Sequence, residues 1–237
     1  NSLSRPIYYG EFVGKGDRLM SVSNSQFVGW ATIIGGVVGV IGFTSLILLF
    51  VVGEPFGTIN DILAIPTAFL MMPLVFVLYR LNSADYPVVS LPALLVRVIG
   101  FFATAVGSIL LVTGRINFQQ SLITGIGGFG LIGLWVLINS IMGLRDGALP
   151  RTIAWAGILL AITPAISLLA MLRLESIANG LTSMADQTSG FRMSVPVMVI
   201  FLLGFISYAG LPIWFILIGR LFLTNRLDLP VGAVVAS

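Results

Sequence analysis

Six stretches of the chain run almost without polar residues: Phe27–Val52, Asp61–Tyr79, Leu91–Thr113, Ser121–Met142, Arg151–Leu172 and Met193–Leu223. A helix needs about 20 apolar residues to cross a bilayer. A barrel strand would be shorter and would alternate apolar with polar side chains. No such alternation is present, and a helix satisfies every backbone donor and acceptor within its own segment, as a lipid solvent requires. The pattern therefore predicts an all-α integral membrane protein, a bundle of six transmembrane helices. The last run is too long for one perpendicular span and holds Pro196 and Gly210-Leu211-Pro212, so a kinked last helix is expected.

The segments outside the runs are short. Residues 1–26 read as an N-terminal tail, 27–224 as the transmembrane domain and 225–237 as a C-terminal tail. The first run is too long for a signal-peptide core and reads as a retained span. Tyr8, Tyr9 and Phe12 of the N-terminal tail suit a membrane interface. Between the fifth and sixth runs, Leu174, Ile177, Leu181 and Met184 recur at helical spacing. They predict a short amphipathic surface helix. The two halves of the chain share no clear motif.

Composition agrees with a lipid solvent. The 237 residues are 57% hydrophobic and 9% charged, against about 25% charged in a soluble domain. The net charge is only +3, and the basic residues stand singly at run ends, which is a topology signal rather than a nucleic-acid patch. With the N-terminus inside, nine basic residues share the inner face: Arg5, Lys15, Arg18, Arg80, Arg97, Arg145, Arg151, Arg220 and Arg226. The outer face holds three: Arg115, Arg173 and Arg192. Both termini are thus expected to be cytoplasmic, in a multi-pass protein of the cell inner membrane.

Candidate chemistry is sparse. The chain has no Cys and no His. That excludes disulfides, thiolate metal sites and thiol catalysis, and removes the commonest haem, zinc and copper ligand. No run holds a central Asp, and the lone Lys15 lacks a phosphate-binding loop. No catalytic residue, metal or cofactor is expected, although a bent helix carrying Pro66 and Pro73 would suit a wedged lipid, quinone or carotenoid.

Small residues supply the packing candidates. Ala31, Gly35 and Gly39 form one stripe; Gly127, Gly130 and Gly133 form another; Ala103 and Gly107 make a shorter one. Such stripes let helix backbones approach closely, inside the chain or against another subunit. Glu54, Asn60 and Asp61 form a candidate polar site at the outer mouth of the second run. There Thr58 and Asp61 have capping-box spacing, with Asn60 an alternative cap. Arg97 lies six residues beyond Leu91 and is expected to snorkel to an anionic lipid head or to Asp85. Asn139, Ser140, Ser207 and Tyr208 are read as interhelical hydrogen-bonding groups. Trp30, Trp135, Trp155 and Trp214 are partly interface anchors, several of them deep.

Two stretches, Gly57–Leu63 running on to Leu78-Tyr79-Arg80-Leu81, and Ala148–Gly157, resemble small uncharacterised six-span bacterial membrane proteins over roughly a fifth of the chain. The resemblance implies a bacterial inner-membrane protein and carries over no catalytic residue. The missing reactive side chains favour a structural or accessory subunit of a membrane complex, with membrane lipids and other subunits or a second copy as partners and no nucleic acid. The alternatives are a transporter or channel for a small neutral or lipidic molecule, motivated by the prolines, and a lipid-acting enzyme using Glu54 and Asp61.

Overall fold

A computed structural model describes residues 22–83, 85–171 and 195–224. The expectations for the two tails beyond them and for the amphipathic segment at Leu174–Met184 lie outside the described residues. Among the described residues there are six helices and no strand: α1 Val22–Val51, α2 Phe56–Ser83, α3 Pro87–Val112, α4 Phe118–Arg145, α5 Arg151–Met171 and α6 Val195–Leu223. All six contain a stretch long and apolar enough to cross a membrane.

Four of the helices start before their apolar runs, and at two of them, α2 and α4, polar side chains close the first turn. α2 begins at Phe56 rather than Asp61, so Thr58, Asn60 and Asp61 are inside the helix and do not cap it. The cap is Glu54. Its Oε2 accepts from the Thr58 backbone N–H and from the Thr58 hydroxyl, both at 3.2 Å. At α4 a reciprocal capping box joins Asn117 and Gln120: Asn117 Oδ1 accepts from the Gln120 N–H at 2.9 Å, and Gln120 Oε1 accepts from the Asn117 N–H at 3.1 Å. α6 is continuous helix through Pro212.

The helices form a closed ring. Each packs on its neighbour in sequence, and α6 packs on α1 to complete the circle. The packed core lies toward one end, where α2 meets α3 and α4 meets α5. Met71, Leu74, Trp135, Leu211, Trp214 and Phe222 are there and at most 2% exposed. Of the four tryptophans, Trp135 and Trp214 are core, whereas Trp30 and Trp155 are 57% and 53% exposed on the outer surface. Four basic residues at helix ends, Arg80, Arg145, Arg151 and Arg220, mark this same end. Arg115 alone stands at the other among the described residues.

Glycines set the seams. A Cβ on Gly29 of α1 would lie 2.9 Å from the Gly219 carbonyl of α6, and one on Gly219 would lie 2.7 Å from the Gly29 carbonyl. Gly100 of α3 and Gly128 of α4 face each other in the same way, at 3.0 and 2.9 Å. The expected stripes are used inside the chain. Gly35 meets Leu70 and Met71 of α2, Gly39 meets the Pro212 ring, and Gly130 and Gly133 receive Leu168 and Pro164 of α5. Ala31 is buried and Gly127 half-buried. Pro164 and Pro212 thus act as knobs seated in glycine holes, so a helix-bending residue also does the packing.

Candidate functional site

The most unusual group is Arg97. The helix starts at Pro87, so Arg97 lies ten residues into α3 (97 minus 87), roughly 15 Å along its axis at 1.5 Å per residue. Ala93, Arg97, Phe101 and Ala105 are all buried, and their spacing of four puts them on one inward-facing row. The expected excursion to the headgroups does not occur. Arg97 is 1% exposed, and Asp85 is exposed in the α2–α3 connection with no ion pair to it. Sequence position suggested a residue near the membrane edge. The ring geometry turns that row toward the centre instead.

Three rings surround the guanidinium. Its Cζ is 3.9 Å from the Phe101 centroid, 4.8 Å from Trp135 of α4 and 5.3 Å from Phe215 of α6. Arg97 therefore reaches across the ring of helices. Its Nε and Nη1 have no hydrogen-bond partner among the described residues. Arginine keeps its charge at any ordinary pH. A desolvated cation–π contact contributes about 2 kcal/mol, whereas taking an ion out of water costs several kcal/mol even after relaxation. The rings offset part of that cost and satisfy none of the N–H groups.

Beside this cage lies a small cleft lined by both polar and apolar side chains. Tyr79 and Asn82 of α2, Ser90, Ala93 and Leu94 of α3, and Trp135, Asn139 and Met142 of α4 line it. Trp135 is a wall of both the cage and the cleft. Asn82 Nδ2 donates to Asn139 Oδ1 at 2.8 Å, and Asn139 Nδ2 donates to the Trp135 carbonyl at 2.8 Å. The Ser90 hydroxyl donates to the Tyr86 carbonyl at 2.7 Å. The cleft has room for about one water-sized body.

Ser140, also on α4, is buried, and its hydroxyl has no partner among the described residues. It packs where Gly157 of α5 leaves space, near the Trp214 indole, whose N–H donates to the Ile153 carbonyl at 2.9 Å. At the protein surface nearby, the Tyr86 hydroxyl donates to Asp146 Oδ1 at 2.6 Å and the Arg145 guanidinium lies over the Tyr86 ring. Holding its proton against Asp146 raises the Tyr86 phenol above its ordinary pKa.

The expected mouth site at the other end is divided. Glu54 is exposed and occupied in capping α2. Asn60 turns inward, where its Oδ1 accepts a long 3.4 Å bond from the Tyr208 hydroxyl of α6. Tyr208 packs against Phe43 of α1 and Phe129 of α4, and Phe43 also packs against Phe205. Asp61 is half-buried nearby on α2. Ser207 is satisfied within its own helix, donating to the Leu203 carbonyl at 2.9 Å. Among the described residues no cluster of three acids that would hold a metal ion forms.

Sequence reasoning singled out Arg97 and Asn139 but not the aromatic cage. Phe101 stands four residues after Arg97, and that spacing was the available signal. Nothing local in the sequence marks Trp135 and Phe215 as its neighbours. No protein-family model, curated protein or solved structure matches the chain.

Proposed function

We propose that this chain is a structural or accessory subunit of a larger membrane complex, with no chemistry of its own. The observation that carries the reading is the pair of reciprocal glycine seams, Gly29 with Gly219 and Gly100 with Gly128. Backbone-to-backbone contact of this kind admits one register. It suits a block that holds its shape better than one whose halves rock past each other. Large apolar side chains such as Phe69, Phe102 and Trp155 remain on the outside for lipid or neighbouring chains. The proposal includes a bacterial inner-membrane location with the Arg80–Arg145–Arg151–Arg220 end cytoplasmic. The grouping of those charges supports the sidedness, and the resemblance of Gly57–Leu63 and Ala148–Gly157 supports the bacterial origin.

The test is to isolate the full chain from its own membranes in mild detergent and identify what accompanies it by mass spectrometry. A second chain in fixed stoichiometry is expected. A homogeneous particle of this chain alone would overturn the reading. Extracting the same preparation for quinone, carotenoid and lipid checks whether a hydrophobic molecule is wedged between the helices.

A second reading, a transporter of a small neutral molecule, draws on one observation: Asn60 and Tyr208 meet inside the ring, away from the packed core. It expects solute exchange in liposomes that depends on the chain and is lost in Asn60→Leu. Liposomes that remain tight would remove it.

A further inference from the structure

α6 is built in two parts that meet at Gly210-Leu211-Pro212. The part after this junction is anchored on both sides. Leu211, Trp214, Phe215 and Ile218 are buried in the core. Gly219 abuts Gly29 of α1, and Trp214 packs on Gly157 of α5 and donates to the Ile153 carbonyl. The part before the junction, toward the end away from the packed core, is held lightly. Leu203 and Ile206 face outward, and a Cβ on Gly204 would meet no atom within 4 Å among the described residues. Inward it presents Phe205 and Tyr208, whose rings touch Phe43 and Phe129 at centroid distances of 4.8 to 5.9 Å. The Tyr208 hydroxyl adds its 3.4 Å bond to Asn60.

The backbone at the junction is soft. Pro212 has no N–H to give the Tyr208 carbonyl, one turn before it. The Ser207 hydroxyl donates to the Leu203 carbonyl, a side-chain bond that bends helices. Gly210 lowers the helix preference further. The Pro212 ring is seated against Gly39 of α1, which gives a bend there a fixed pivot. Of the neighbouring pairs in the ring, α5 and α6 share the least contact. α5 is not free to follow α6, because Pro164 and Leu168 are locked against Gly133 and Gly130 of α4. We infer that α6 is a hinged helix. Its segment before Gly210 swings about Pro212 away from α5, parts Tyr208 from Phe129 and Asn60, and opens the bundle sideways to the bilayer at the end away from the core. The Gly29–Gly219 and Gly100–Gly128 seams stay shut throughout. The opening brings the Asn60 amide and the Tyr208 hydroxyl within reach of a molecule dissolved in the bilayer. The inference rests on neither functional reading above, since the motion needs no solute and no partner.

The chain has no Cys, so introduced thiols are the only ones to label. Nitroxide pairs on the full chain in nanodiscs, with no solute added, report distances by pulsed electron paramagnetic resonance. Ile166→Cys with Ile206→Cys spans the lightly held part of the α5–α6 seam, and Leu159→Cys with Leu217→Cys spans the anchored part. All of these side chains face outward. The anchored pair should give one narrow distance, and the other pair a second, longer distance as well. Tyr208→Phe removes only the hydroxyl and should raise the ratio of longer to shorter distance about threefold, the effect of one interhelical hydrogen bond. Pro212→Ala restores the missing N–H and should abolish the longer distance. In every variant the anchored pair reports whether the bundle has folded. A single distance in native protein as narrow as that of the anchored pair would overturn the inference. A longer distance that persists undiminished in a folded Pro212→Ala protein would overturn it as well.

Discussion

The two ends of the bundle are built differently. At the end marked by the α2–α3 and α4–α5 connections, α1 and α6 touch backbone to backbone at Gly29 and Gly219, and Trp135 and Trp214 are at most 2% exposed. At the opposite end, Gly125 and Gly204 would meet no atom within 4 Å among the described residues if each gained a Cβ. There the interior is held by the ring contacts among Phe43, Phe129, Phe205 and Tyr208, with one long hydrogen bond to Asn60. The same residue type thus has two meanings in one chain. Gly219 is a steric requirement, and Gly204 is not. In lipid, where hydration drives no association between helices, close contact is the main source of cohesion, so the first end should dominate stability.

Mutations can break that contrast, and the largest effect belongs to the packed end. Trp135→Ala removes a fully buried ring and one wall of the Arg97 cage, and should cost about 3–5 kcal/mol. Phe43→Ala at the other end should cost about 1–2 kcal/mol, since its ring is partly exposed. Reversible unfolding of both variants in mixed micelles measures the gap, and equal losses would show that the ends are alike.

Next are the glycines. Gly219→Val drives side-chain atoms into the Gly29 carbonyl and should cost about 3 kcal/mol, the upper part of the range for overpacking. Gly204→Ala meets open space and should gain up to about 1 kcal/mol through helix propensity. Melting temperatures of the pair read opposite signs if the seam is real. A smaller effect is expected at Tyr208→Phe. Its bond to Asn60 is 3.4 Å long, so the loss should stay below about 1 kcal/mol, which a denaturant titration would resolve.

The six helices were legible in the sequence because the signal is local. About twenty apolar residues make a span wherever they occur. The glycine stripes were legible as close-packing surfaces, but not their partners. That Gly39 receives Pro212, some 170 positions away, depends on ring closure. The inward turn of Arg97 was hidden for the same reason. Counting from Leu91 placed it near an edge, whereas the helix begins at Pro87 and its inner row continues through Ala93 and Phe101. At α2, hydropathy fixed the apolar start near Asp61. Glu54, which holds the actual first turn through Thr58, belongs to the polar connection that such a reading sets aside.

The smallest prediction concerns the surface pair at the packed end. Tyr86 donates its phenol proton to Asp146, and its pKa is raised in the folded protein. The sign follows: the stabilisation is complete below the ordinary tyrosine range near about 10 and is lost as pH climbs through the raised value. Native protein and Tyr86→Phe should therefore differ by a constant small amount between neutral and mildly alkaline pH, converging only in strong alkali. A gap that already closes near neutrality would contradict the assignment of the bond.

The contact between α1 and α6 also has a consequence for how the protein is made. Of the six described spans α1 is made first and α6 last, and Gly29 must wait for Gly219 to be synthesised. Until then the small-residue groove of α1 lies open in the bilayer, able to accept any helix that fits. The closing contact also has the greatest sequence separation in the ring, the kind that forms late. A ribosome stalled before α6 would leave α1 with only α2 and α5 with only α4 to pack on, and the ring open.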